Sequence, residues 1–72
     1  MDTQFLAFQD GGHYELRFRP LFDAHRGYAF PCDEEGRVDI DTLSDRARNS
    51  YLYARALVGW ELSRPDVERV AA

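Results

Sequence analysis

The stretch from residue 42 to residue 62 constrains the fold most, because it favours one long helix that is apolar on two sides. No proline or glycine interrupts it before Gly59. Asp41 or Thr42 is a suitable N-cap, and Asp45 lies three residues after Thr42, as in a capping box. At about 100° per residue, one apolar stripe contains Leu43, Ala47, Tyr51, Ala54 and Val58, with Leu57 and Leu62 at its margins. We expect this stripe to pack against a sheet.

The opposite side of the same helix is apolar as well and forms the predicted interaction face. This face consists of Asn49, Leu52, Tyr53, Ala56, Gly59 and Trp60. The small residues Ala56 and Gly59 permit close backbone approach. Arg48 and Arg55 are predicted to border the face, since arginine is favoured over lysine at protein interfaces.

The length of the chain limits which parts of it can cover this second side of the helix. The chain has 72 residues, enough for one domain with one small core, and a sheet of three or four strands covers only one side of a helix. We therefore predict a homodimer formed through the interaction face, because two-fold dimers are the commonest soluble oligomers. A heterologous protein partner is one alternative interpretation. The other alternative is a monomer in which Val67 and Val70 fold back over Trp60.

The rest of the chain predicts short strands, so the expected fold class is α+β with an antiparallel sheet of three to four strands. Residues 13–19 alternate apolar and polar side chains, which is the clearest strand pattern in the sequence. Apolar residues 5–8 precede it, and the intervening Asp-Gly and Gly-Gly pairs favour a turn, so residues 3–19 predict a β-hairpin.

A second, shorter hairpin is predicted from residues 28–30 and 37–40, joined by the acidic turn at 33–36. Pro31 suggests that the first of these strands ends there or lies at an edge. After Pro65, a capping pattern formed by Ser63 and Asp66 predicts a short C-terminal helical turn through Val67 and Val70.

Charge and composition narrow the function classes. The net charge is −4 and all nine basic residues are arginine, so mechanisms that need a lysine amine are excluded and nucleic acid is not the expected partner. The N-terminal residues lack a basic region followed by an apolar run, and no run approaches the roughly 18 residues that span a bilayer. We expect a cytoplasmic protein with no membrane contact.

No group of residues indicates catalysis, a metal or a cofactor. Cys32 is the only cysteine, and a half-buried thiol at a strand end explains it better than a nucleophile paired with His25. Counted as a calcium loop around Gly36, the acidic turn would need ligands at Pro31 and Thr42, which are unsuitable. We therefore predict a protein that is not an enzyme.

Two pairs of arginines could indicate nucleic-acid binding, but this interpretation is weaker than that of a protein interaction module. Arg17 and Arg19 lie on the polar side of the alternating strand, while Arg48 and Arg55 lie seven residues apart on the helix; Phe5 and Tyr14 could supply stacking. Alternation places Tyr14 on the buried side, and ordinary ion pairs account for the arginines.

Three segments carry a resemblance: GYAFPCD (27–33), GRVDID (36–41) and LSDRARNSYLYAR (43–55). In these segments the chain resembles short uncharacterised proteins of proteobacteria that have no assigned activity. The resemblance extends from about residue 13 to residue 60. It implies a whole small protein, and it supplies no catalytic residue, cofactor or substrate.

Overall fold

The computed structural model describes residues 5–7, 14–22 and 26–70, and for residues 5–7 it describes the backbone alone. These residues adopt an α+β fold, as predicted. In chain order the elements are β1 (Phe5–Ala7), β2 (Tyr14–Phe18), β3 (Gly27–Cys32), a 3-10 turn (Ile40–Thr42), α1 (Asp45–Ala56) and β4 (Asp66–Arg69). The strand order in the sheet is β1-β3-β2-β4. Strands β3, β2 and β4 pair antiparallel, and β1 joins β3 in parallel.

Strand β2 confirms the predicted alternation and organises the core. Leu16 and Phe18 point towards α1 and are buried, whereas Arg17 points to the other face of the sheet. In register, Leu16 lies between Phe30 of β3 and Val67 of β4. The core also confirms the predicted helical stripe, because Leu43, Ala47, Tyr51, Ala54 and Leu62 are buried and Leu57 and Val58 pack against them.

The predicted hairpin over residues 3–19 is wrong. β1 pairs with β3 in parallel, with Phe5 opposite Gly27, and β2 lies on the far side of β3. The Asp-Gly and Gly-Gly signals lie in residues 8–13, outside the described residues. Turn residues favour a change of chain direction but do not specify which strand is the neighbour.

The second predicted hairpin is also wrong. Residues 37–39 are not a strand, and Ile40 begins the 3-10 turn. Pro31 lies inside β3, opposite Glu15 of β2, and β3 is flanked on both sides. The proline is tolerated because the pairing of β1 with β3 ends at Ala29, so Pro31 lies beyond the segment of β3 that β1 pairs with.

Helix α1 is shorter than predicted, with 12 residues instead of the stretch 42–62. Its N-cap is Ser44, whose hydroxyl accepts a hydrogen bond from the Ala47 amide at 3.1 Å; neither Asp41 nor Thr42 caps it. The helix ends at Ala56 because Gly59 adopts a φ of 88°, and its amide donates to the Leu62 carbonyl at 2.8 Å. This turn brings Leu62 back into the core.

The predicted C-terminal helical turn is replaced by β4. Val67 pairs with Leu16. Glu68 forms ion pairs with Arg17 of β2 and with Arg19, which directly follows β2. The segment before β4 also pairs with the segment after β2, because Pro20 forms an antiparallel bridge with Leu62. The hydrogen bonds on either side of that bridge are made by neighbouring residues, so the missing amide of proline costs nothing there.

Candidate interaction face

All six residues of the predicted interaction face are exposed. The exposed fractions are 49% for Leu52, 54% for Tyr53 and 75% for Trp60. The fold-back of Val67 over Trp60 does not occur, since Val67 belongs to β4 and Trp60 is the most exposed of the large apolar side chains described. The sheet covers one side of α1 and leaves the other to solvent.

Two residues of the face lie outside the helix. Gly59 and Trp60 belong to the turn that follows α1, where the Trp60 amide donates to the Leu57 carbonyl at 2.9 Å. A Cβ atom added to Gly59 would meet no heavy atom within 4 Å. The backbone at Gly59 is therefore open to close approach by another molecule.

Sequence reasoning missed two apolar residues that extend this surface, Leu21 and Phe22. Their exposed fractions are 48% and 57%, and the Leu21 amide donates to the Glu61 carbonyl at 2.9 Å, which places the segment beside the turn that carries Trp60. The available signal was two large apolar residues directly after Pro20 in a stretch without strand alternation. We define the exposed apolar surface as Leu21, Phe22, Leu52, Tyr53, Ala56, Gly59 and Trp60.

The two predicted border arginines lie on one side of α1 and differ in their contacts. Arg48 is half-buried; its Nε atom donates to the Ile40 carbonyl at 3.3 Å and its guanidinium lies 3.6 Å from the Asp45 carboxylate. Arg55 is exposed, and its guanidinium carbon lies 5.7 Å from the centre of the Tyr51 ring. Arg48 therefore contacts residues at and before the start of the helix, whereas Arg55 contacts the ring of Tyr51 in the core.

A small polar hollow of about 140 Å³ borders the exposed apolar surface near Tyr53. Tyr28 and Tyr53 meet edge to face there, with ring centres 6.3 Å apart, and Arg26 and Glu61 line the same hollow. Burial raises the pKa of the Tyr28 hydroxyl, and the nearby Tyr53 adds to this effect. Tyr53 is thus held by β3 at one edge and open to solvent over most of its surface.

The residues considered for chemistry are not assembled into a reactive site. Cys32 is half-buried at the end of β3, as predicted, and burial together with the charges of Asp33 and Glu15 raises the pKa of its thiol, which lowers its reactivity. His25 lies outside the described residues. Within the ranges described, no three histidine, cysteine or carboxylate side chains are grouped so that they could hold a metal ion.

The charged residues of the acidic turn after β3 form hydrogen bonds and ion pairs with other residues of the same turn. The Asp33 carboxylate accepts hydrogen bonds from the amides of Glu35 at 2.9 Å and Arg37 at 2.8 Å. These bonds, together with the Arg37 guanidinium at 3.0 Å, lower the pKa of Asp33. The turn is a solvated structural element, in agreement with the sequence interpretation.

Arg17 of β2 and Arg19, which directly follows β2, are engaged in ion pairs on the sheet face opposite α1. Arg17 lies 3.0 Å from Glu15 and 3.3 Å from Glu68, and Arg19 also pairs with Glu68. Glu15 is only 5% exposed, so its carboxylate depends on Arg17 for compensation. This network accounts for Arg17 and Arg19 as ion-pairing residues, in agreement with the sequence interpretation of these two arginines.

Among the described residues, no helix has the length and apolar character needed to cross a bilayer. Comparison of the chain with protein-family models, with curated proteins and with solved structures gives no match in any of the three. Any function must therefore be argued from the chain's own surface.

Proposed function

We propose that this protein is a non-catalytic interaction module that forms a homodimer through its exposed apolar surface. The observation that carries the proposal is the exposure of Trp60, Tyr53 and Leu52, which remains after folding has buried the other side of α1. Tryptophan and tyrosine are the residue types that contribute most to binding at protein interfaces. Removing these side chains from water supplies the driving force.

The backbone around this surface supports close packing. Ala56 has only a methyl side chain and Gly59 has none, and the space over Gly59 is open. A two-fold axis would place the same patch of each copy opposite itself, so aromatic rings of one copy would lie over the small residues of the other.

A different surface that could support self-association, the outer edge of β4, is unsuitable. Because side chains alternate between sheet faces, symmetric antiparallel pairing of two β4 strands must centre on Val67 or on Glu68. The first arrangement places Asp66 opposite Glu68, and the second places Glu68 opposite Glu68. Both juxtapose like charges, which is how natural edge strands avoid pairing.

Trp60 provides a direct test, because it is the only tryptophan in the chain. We expect light scattering to give twice the chain mass at high concentration and sedimentation to show dissociation on dilution. Over the same concentration range, the tryptophan emission should move to shorter wavelength as the dimer forms and the indole leaves water.

Trp60→Arg should raise the dimer dissociation constant by about 30-fold or more, the effect expected for an interface hot spot. The matched control is Ile40→Arg, which adds the same charge at an exposed apolar residue before α1 and should leave dimerisation unchanged. A wild-type chain that stays monomeric at about 100 μM, well above typical specific dissociation constants, contradicts the homodimer and leaves a heterologous protein as the partner. Equal effects of the two variants would show that the dimer uses a different surface.

A further inference from the structure

A second feature, separate from the exposed apolar surface, is an open pocket of about 260 Å³ on the β4 side of α1. It is lined by Leu16 and Phe18 of β2, by Tyr51 and Arg55 of α1, and by Val58 and Pro65 from the segments after the helix. Helix α1 packs mainly against β3, and the pocket opens beside this contact.

The walls of this pocket are fixed by the core. Phe18 and Tyr51 meet edge to face with ring centres 6.4 Å apart, and Tyr51 packs in the same way against Phe30 at 5.2 Å. Leu16, Phe18 and Tyr51 are all buried, so their conformations are determined by packing and not by a ligand. A preformed apolar pocket avoids the cost of ordering its walls on binding.

Arg55 supplies the charge. Of the described arginines, four have a carboxylate within 4 Å: Arg17, Arg19, Arg37 and Arg48. Arg55 has no such partner among the described residues, and its guanidinium is positioned by the face of Tyr51. An open apolar pocket beside a guanidinium that has no carboxylate partner is complementary to a ligand with an apolar body and one carboxylate.

We propose that this pocket binds a small organic carboxylate whose aromatic or branched aliphatic body contacts Leu16, Phe18 and Val58 and whose carboxylate pairs with Arg55. The volume is adequate, since an apolar cavity of about 150 Å³ already accommodates benzene. The charge sets the class of ligand: a neutral molecule of the same shape would leave the guanidinium without a partner.

The test is a titration with phenylacetate and with its neutral counterpart phenylacetamide, followed by the NMR shifts of the Leu16 and Val58 methyl groups. We expect saturable shifts at both residues with phenylacetate, and about tenfold weaker binding of the amide because the charge-assisted contact is lost. Arg55→Met should reduce phenylacetate binding to the level of the amide without changing amide binding. Arg55→Lys should restore part of the difference.

Arg46→Met is the control for loss of charge, because Arg46 is exposed on α1 and does not line the pocket. It should leave both titrations unchanged. Equal affinity for the two probes, no saturable shifts at millimolar phenylacetate, or an Arg55→Met variant that binds phenylacetate normally would each overturn the proposal. The titration is repeated in Trp60→Arg, where retained binding shows that the pocket acts independently of the proposed dimer.

Discussion

The two sides of helix α1 carry similar residues and have opposite environments. The inward side presents Tyr51 and Ala54, both buried, and the outward side presents Tyr53 and Ala56, both exposed. Residue type therefore does not decide which side forms the core. The position of the single sheet decides it, because the free energy gained on burial depends on the apolar area that another surface can cover. The outward side keeps the same potential for burial and lacks a covering surface within the described chain.

The largest expected contrast is between two tyrosines that differ by two positions. Tyr51→Ala should lower the free energy of unfolding by about 3–4 kcal/mol, because it removes a buried ring that packs against Phe18 and Phe30 and leaves a cavity. Tyr53→Ala should cost about 1 kcal/mol or less, since Tyr53 is 54% exposed and packs mainly against Tyr28. Urea denaturation at a concentration that keeps the chain monomeric measures both changes.

A loss of about 4 kcal/mol approaches the whole stability expected for a domain of this size. Tyr51→Leu, which retains apolar volume, is the variant to use if Tyr51→Ala does not fold. Similar losses for the Tyr51 and Tyr53 variants would mean that the outward side of α1 is packed in the monomer, and the comparison would fail.

The two alanines test the same contrast in the opposite direction, by adding volume. Ala54 has no exposed surface, so Ala54→Leu should destabilise the monomer by about 1–3 kcal/mol through overpacking. Ala56→Leu adds the same atoms at an exposed position and should change stability by about 0.5 kcal/mol or less. Thermal and urea unfolding measure the difference, and a destabilising Ala56→Leu in the monomer would show that this residue has a covering neighbour.

Sequence periodicity predicted this division of α1 because a helix repeats every 3.6 residues whatever surrounds it. Within Asp45–Ala56, the residues predicted to pack against the sheet are buried and those predicted on the opposite side are exposed. The end of the helix was misplaced, since the effect of Gly59 depends on Leu62 returning to the core. The alternation of apolar and polar residues also predicted strand β2 correctly.

Strand partners were much harder to predict, because they are set by contacts between distant residues. The sequence of β4 contains one valine among charged residues, and its own propensity for a strand is poor. It forms a strand because Leu16 lies opposite Val67 and two β2-side arginines pair with Glu68. The parallel partner of β1 and the position of Leu21 beside Glu61 depend on the same kind of tertiary information.

The smallest expected contrast compares two glycines with the same backbone conformation. Gly36 and Gly59 have φ angles of 89° and 88°, so replacement by alanine strains both by about 1–2 kcal/mol. At Gly36 the new Cβ would also lie 2.9 Å from Cγ2 of Val67, whereas at Gly59 it would meet nothing within 4 Å. The backbone strain is the same in the two variants, so the difference between their free energies of unfolding measures the contact of the new methyl group with Val67. We expect Gly36→Ala to cost about 1 kcal/mol more than Gly59→Ala in urea denaturation. In a Val67→Ala background the excess should disappear, because the opposing methyl group is gone. An excess that persists without the Val67 methyl groups would place its origin in the backbone of the acidic turn.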